Sequence, residues 1–316
     1  MDTAIVENST KRYARAIEAS KRVRWDIDKD VIRGRRFEME QKWMPDGLGR
    51  MQGFAFATPA EKRFISQIQG RTYVNMFGMI ERYIGAKMLE ITRGHVLGDQ
   101  TVVEALVRFT DEELKHQELF RRLEALIAPD MPKGYRFLPP ANDVANAVLA
   151  KSTWAVLALT CHIELFTLDH YRQSIDRDPE LSTFWKDVFK YHMMEEAQHA
   201  VLDEMEWQRE DTKITAAQRE QGVTDLIDLV VAVDGLLQMQ AAADAEYFVA
   251  NNTRKLDAAQ TRQLREGLLK AYRWQYIVSG AQNERFLQIL GAMLPPAQLE
   301  RVVTALKPLM EDVASA

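Results

Sequence analysis

The sequence predicts an all-α protein, a four-helix bundle with additional helices flanking it. Two observations carry that expectation. Apolar residues recur with a 3.6-residue period over long stretches, and few segments alternate as strands do. Turn-forming clusters separate those stretches: Pro45-Asp46-Gly47, the run from Pro129 to Pro140, and the segment from Asp176 to Pro179. Taken in order, the opening region to about Gly53 is mixed. A first long helix is expected over 59–92, with Gly94 suiting its exit, and a second over 99–127, stopped by Pro129 and Pro132. A third is expected over 142–175 and a fourth over 180–209. Three more helical stretches follow, 216–250, 258–290 and 296–313, which are read as packing around the first four or as a dimer surface. No linker or low-complexity segment divides the chain. Residues 1–316 are therefore read as one domain, with a bundle core at about 59–209 and C-terminal helices at 216–313.

Composition narrows the function classes. Hydrophobic residues make up 47% of 316, enough for a sizeable core. The formal charge is −5, from 41 basic and 46 acidic residues, and no long basic block is present, so nucleic acid is not an expected partner. The single cysteine, Cys161, excludes an internal disulfide and a cysteine-ligated iron–sulfur or rubredoxin-type cluster. The first twenty residues lack the apolar run of a signal peptide. The apolar stretch 144–168 is interrupted by Lys151, His162 and Glu164, which suits a buried helix better than a membrane span. The expectation is a soluble cytoplasmic protein without a membrane partner.

The chemistry lies in four of the helical stretches. The second contains Glu112-Glu113-Leu114-Lys115-His116, and the fourth contains Glu195-Glu196-Ala197-Gln198-His199. Residues three apart share a helix face, so Glu113 with His116, and Glu196 with His199, can address one metal ion each. Both motifs sit in apolar stripes; in the second helix the stripe runs Val102, Leu106, Phe109, Glu113, His116, Phe120. Burying a carboxylate without a partner costs several kcal/mol, and a metal cation answers that cost. Glu81 stands alone in the stripe of the first helix and Glu164 in that of the third. Glu113 follows Glu81 by 32 residues and Glu196 follows Glu164 by the same interval, so the chain carries a hidden two-fold repeat. Four helices bearing Glu, Glu-x-x-His, Glu, Glu-x-x-His form the di-iron carboxylate pattern. Mixed imidazole and carboxylate donors suit iron or manganese better than structural zinc.

These residues resemble the ferritin-like di-iron carboxylate superfamily over about 60–208. His192 narrows the resemblance. It lies four residues before Glu196 and seven before His199, on the same helix face, where the first half has Phe109. The p-aminobenzoate N-oxygenase family is similar here, with a His-x3-Glu-x2-His motif on its last ligand helix. The resemblance implies seven metal ligands, Glu81, Glu113, His116, Glu164, His192, Glu196 and His199, holding two Fe ions, with Mn as the other possibility. It implies O2-dependent oxygenation of a small organic substrate such as an arylamine nitrogen, with electrons from an external donor, and a homodimer is expected. The alternatives are an acyl-chain desaturase or hydroxylase of the same superfamily, which would need a long apolar tunnel beside the irons, and a ferroxidase-type or non-enzymatic metal-binding bundle.

Further residues take supporting roles. Glu112 and Glu195 precede the ligand glutamates and can accept the second N–H of a metal-bound histidine across the bundle; otherwise they are flanking charges. Asp203 continues the His199 face as another outer candidate. Phe77, Phe109, Thr160, Leu168 and Met193 lie near the expected metal level, where they would line a substrate pocket or simply fill a core. His162 faces away from Glu164, which favours helix packing, and His95 and His170 have no ligand spacing. Cys161 reads as a small core residue.

Overall fold

The computed structural model describes residues 3–315, and among these the chain is helical throughout, its only β-type pairing an isolated parallel bridge between Lys42 and Leu181. The helices are α1 (Thr3–Arg22), α2 (Asp46–Gly49), α3 (Pro59–Thr92), α4 (Gln100–Ile127), α5 (Ala141–Leu149), α6 (Thr153–Asp169), α7 (Thr183–Asp211), α8 (Ala216–Asn251), α9 (Ala258–Arg273), α10 (Ser279–Ala281), α11 (Glu284–Met293) and α12 (Pro296–Ala314). Wider, π-type turns extend or link three of them, at Ile27–Ile32, His170–Ile175 and Trp274–Val278.

Helices α3, α4, α6 and α7 form the four-helix bundle. Local chemistry sets their starts. Thr58 and Glu61 close a capping box ahead of α3, with Pro59 at the first helical position; Asp99 caps α4 and Ser182 caps α7. The bundle interior is an almost unbroken apolar core, including Tyr73, Phe77, Leu106, Phe109, Phe120, Trp154, Leu157, Phe166 and Trp185. Inside it sit the buried polar residues of the site.

The opening region is mixed, as expected: the regular helix α1 lays Tyr13, Ala16, Ile17 and Ser20 against α4 and α7, and a π-type turn, the Lys42 bridge and the short α2 follow it. Two expectations are corrected. The stretch 142–175 is not one helix. It breaks at Ala150–Ser152, where the Asp225 carboxylate accepts the Ser152 backbone N–H at 3.0 Å, and α6 starts afresh at Thr153. The stretch 258–290 breaks at Gln282–Asn283, because the Asn283 side chain accepts the Phe286 N–H and begins α11. Helix α8 is by length and composition apolar enough to cross a membrane. Its Val223, Leu229, Leu237 and Phe248 are buried against the rest of the chain, while Val231 and Met239 are 66% and 49% exposed.

Candidate metal centre

All seven of Glu81, Glu113, His116, Glu164, His192, Glu196 and His199 are buried in the bundle interior, none more than 2% exposed. The helical three-residue interval places Glu113 and His116 side by side on α4, and Glu196 and His199 on α7. Two sets of donor atoms converge. Glu81, His116, His192 and Glu196 each offer an atom within 4.8 Å of the others, and so do Glu113, His116, Glu196 and His199. His116 and Glu196 belong to both sets and so lie between them. Glu164 completes neither set, but its carboxyl is close to Glu196.

The imidazoles are oriented by what lies behind them. A carboxylate only accepts, so His116 Nε2 donates to Glu195 Oε2 at 2.8 Å, which turns Nδ1 inward, 3.1 Å from Glu196 Oε1. His199 repeats the pattern: Nε2 donates to Glu112 Oε2 at 2.8 Å, and Nδ1 faces Glu196 Oε2 at 2.8 Å and Glu113 Oε1 at 3.0 Å. His116 on α4 is thus braced by an α7 carboxylate, and His199 on α7 by an α4 carboxylate. His192 differs. It turns Nε2 inward, 2.9 Å from Glu81 Oε1 and 2.7 Å from Glu196 Oε1, and its Nδ1 has no partner.

The site is electrostatically unsatisfied by protein alone. Glu81 Oε2, both Glu113 carboxylate oxygens and His116 Nδ1 are buried and make no well-directed hydrogen bond, the 3.0 and 3.1 Å approaches of His199 Nδ1 to Glu113 and of His116 Nδ1 to Glu196 included. Burial pushes the Glu81 carboxyl up to about 8, and raises Glu113 and Glu164, with Glu196 adding to both. Burial works against Glu196 as well, but the His192 and His199 imidazoles facing it hold its carboxyl well below the usual range. Burial opposes charge on His116 and His199, and the carboxylates around them, Glu196 first, outweigh it and raise both. Four buried carboxylates and three inward-facing imidazole nitrogens are a donor set that divalent cations would neutralise. The orphaned oxygens and the mixed N/O chemistry fit two metal ions.

Around this centre, Ser20 Oγ and Gln198 Nε2 donate to Glu112 at 2.7 and 2.6 Å, and Lys115 pairs with Glu195. Asp203 Oδ1 accepts from Thr160 Oγ1 at 3.0 Å, and Oδ2 is unpartnered; burial raises its carboxyl. Phe109 stacks on His199 with centroids 3.8 Å apart, and Phe77 meets His192 edge-on at 5.3 Å. Leu168 is buried, and Met193 is half-buried against the core. Of the other histidines, His162 bonds the Ile277 carbonyl at 3.0 Å, His170 lies between Tyr73 Oη and Ser279 Oγ, and His95 faces Glu206. Cys161 is buried, and burial raises its thiol.

One neighbour has no signal in the sequence pattern. Trp25, in the connection after α1, stacks parallel to His116 with an interplanar angle of 4° and centroids 5.9 Å apart, and Lys115 Nζ lies 3.9 Å from the Trp25 ring centroid. It sits outside any periodic helix, so spacing could not have found it.

Comparison with known proteins agrees with this geometry. A family model described as P-aminobenzoate N-oxygenase AurF matches residues 3–271, which is most of the chain and includes all seven inward-facing residues. No curated protein matches the chain.

Proposed function

Because the chain belongs to the p-aminobenzoate N-oxygenase family, an enzyme family that oxygenates an organic substrate with O2, we propose that Glu81, Glu113, His116, Glu164, His192, Glu196 and His199 hold two iron ions and that the substrate is an amine oxidised at nitrogen. The observation that carries the reading is the pair of convergent donor sets sharing His116 and Glu196. Bound Fe(II) would supply O2 activation. The protein's own contribution is positional. Glu112 and Glu195 fix which imidazole nitrogen faces inward, and Phe77 and Phe109 pack against His192 and His199 and keep water from that side. Iron is favoured over zinc by a set with no thiolate among the converging donors, and manganese remains the competing metal.

Electrons come from an external donor, since the only cysteine is buried and unpaired and no cysteine cluster exists to store them. The exposed apolar residues Val231 and Met239 on α8 support a homodimer. The single free cysteine supports a reducing, cytoplasmic setting.

The test is metal analysis followed by anaerobic loading with Fe(II) and rapid mixing with O2. Two irons per chain, an optical transient on mixing and gain of oxygen at the nitrogen of an arylamine, read by mass spectrometry, are expected. Fewer than two bound metals would sink the assignment.

A further inference from the structure

Resting on the di-metal reading, we propose that the two ions are made unequal by the charge standing behind their histidines: Lys115, clamped between Glu195 and the Trp25 ring, makes the ion seated at His116 the first to accept an electron from the external donor. Both histidines donate Nε2 to a carboxylate, at 2.8 Å in each case. The two carboxylates differ in what neutralises them. Glu195 is 1% exposed and pairs with the Lys115 ammonium as well as with His116. Glu112 is reached, besides His199, by the Ser20 hydroxyl at 2.7 Å and the Gln198 amide at 2.6 Å, both uncharged.

That difference decides how strongly each imidazole donates. An uncompensated carboxylate pulls on the ring N–H and makes the inward nitrogen a better donor, which favours the higher oxidation state of a bound metal. A carboxylate already held by an ammonium pulls less, and the ammonium's own field disfavours further positive charge nearby. Behind His116 the two charges cancel; behind His199 the carboxylate meets only neutral donors. The inner donors lean the same way. His116 Nδ1 and His192 Nε2 both face Glu196 Oε1, at 3.1 and 2.7 Å, so two imidazoles gather on that side. Glu196 Oε2 faces His199 Nδ1 at 2.8 Å, with Glu113 Oε1 at 3.0 Å from the same nitrogen. The His116 side therefore holds the less donating set and favours the reduced ion.

Trp25 keeps Lys115 in place. Its ring lies 3.9 Å from Lys115 Nζ and parallel to His116, and Tyr191 tilts against it with centroids 6.0 Å apart. The buried indole offers the ammonium an aromatic face that attracts a cation, and it shields the Lys115–Glu195 pair from the solvent that would screen it. The Lys115 side chain is 26% exposed, so without that cover it would swing into water. Neither Lys115 nor Trp25 is among the converging donors. Both are positioning residues, acting through Glu195 and His116. A side chain that served packing alone would leave the potentials of the ions unchanged.

Each step moves one electron from the donor to one ferric ion, giving a mixed-valent pair and then a diferrous one, and no bond in the protein is made or broken. The experiment reads potentials rather than turnover. Full-length protein is loaded with iron, oxidised in air and titrated with dithionite in the presence of mediators, followed by low-temperature EPR of the mixed-valent pair and by optical absorption. Two separated one-electron steps are expected. Lys115→Met should lower the first potential by at least about 59 mV, a tenfold change in the ratio of the two oxidation states, and move the second by less than half as much. Lys115→Arg, which keeps the charge, should hold the first potential near its unaltered value. Trp25→Leu should shift it the same way as Lys115→Met and provides the test should that variant fold poorly, with helicity and iron content checked in each. Glu112→Gln, under saturating iron, should raise the second potential instead. A single two-electron step in the unaltered protein, a first potential unmoved in both Lys115→Met and Trp25→Leu, or an equal shift in Lys115→Arg overturns the proposal. Fewer than two irons per chain in the unaltered protein would overturn the metal reading instead, and it is scored before any variant is titrated.

Discussion

Replacing Glu112 by Gln isolates what the brace behind His199 contributes. Glu112 Oε2 receives His199 Nε2 at 2.8 Å and Gln198 Nε2 at 2.6 Å, while Oε1 receives Ser20 Oγ at 2.7 Å. The amide of Gln has the same shape. Its oxygen can still accept from His199, and its NH₂ can donate to the Ser20 hydroxyl, so the packing stays and the negative charge goes. A hydrogen bond to a charged group contributes about 1.5–3 kcal/mol and a neutral one about 1. The difference, about 0.5–2 kcal/mol, is roughly a two- to thirtyfold loss of affinity for the metal nearest His199, reaching into the range seen when the outer partner of a metal-bound histidine is removed. His116 leans on Glu195 instead, so the other metal should keep its affinity within about threefold. The assay is anaerobic Co(II) or Fe(II) titration against a competing chelator, with circular dichroism to confirm the fold. Two metals weakened alike, or neither weakened, would refute the reasoning.

Two further outcomes concern the scaffold. Burial pushes the Asp244 carboxyl up to about 7 from its ordinary 3.8, although Tyr272, Thr72 and Gln240 donate to it. The unfolded chain releases that proton near pH 4 and the folded chain keeps it to near neutrality, so stability falls as pH rises through this window, by up to about 4 kcal/mol. Asp244→Asn should flatten that slope in urea unfolding between pH 5 and 7.5, and parallel curves for the two proteins would contradict it. A Cβ on Gly280 would lie 2.4 Å from His162 Nε2, the atom bonded to the Ile277 carbonyl. Gly280→Ala should therefore cost about 1–3 kcal/mol and lower Tm by several degrees while leaving metal content intact; an unchanged Tm would refute it.

Much of the bundle was legible because it is periodic. The 59–92 helix begins at Pro59 and ends at Thr92 in the structure, since the Thr58 capping box fixes its start. The buried carboxylates stood out because glutamate in an apolar stripe needs a reason, and the 32-residue interval gave those glutamates a common one. What escaped was non-periodic or set by distant partners. Helix α1 buries only a sparse stripe of Tyr13, Ala16, Ile17 and Ser20 among many charges, so its face reads weakly. The break before Thr153 has no Gly or Pro to announce it; it is fixed by Asp225, seventy-three residues away. Trp25 lies against His116 by tertiary packing alone. The orientation of His192, inward through Nε2 where the other two histidines use Nδ1, is a matter of side-chain direction that no spacing encodes.

The reciprocal bracing of His116 by Glu195 and of His199 by Glu112 makes the two halves of the repeat interlock like a clasp. The α4 half carries His116 and the support of His199, and the α7 half carries His199 and the support of His116, so neither motif is braced without the other. A slip of α4 past α7 by one residue, about 1.5 Å, would unseat both histidines in a single movement. Seating the first ion should therefore hold α4 and α7 in register and leave the second socket shaped for its own ion.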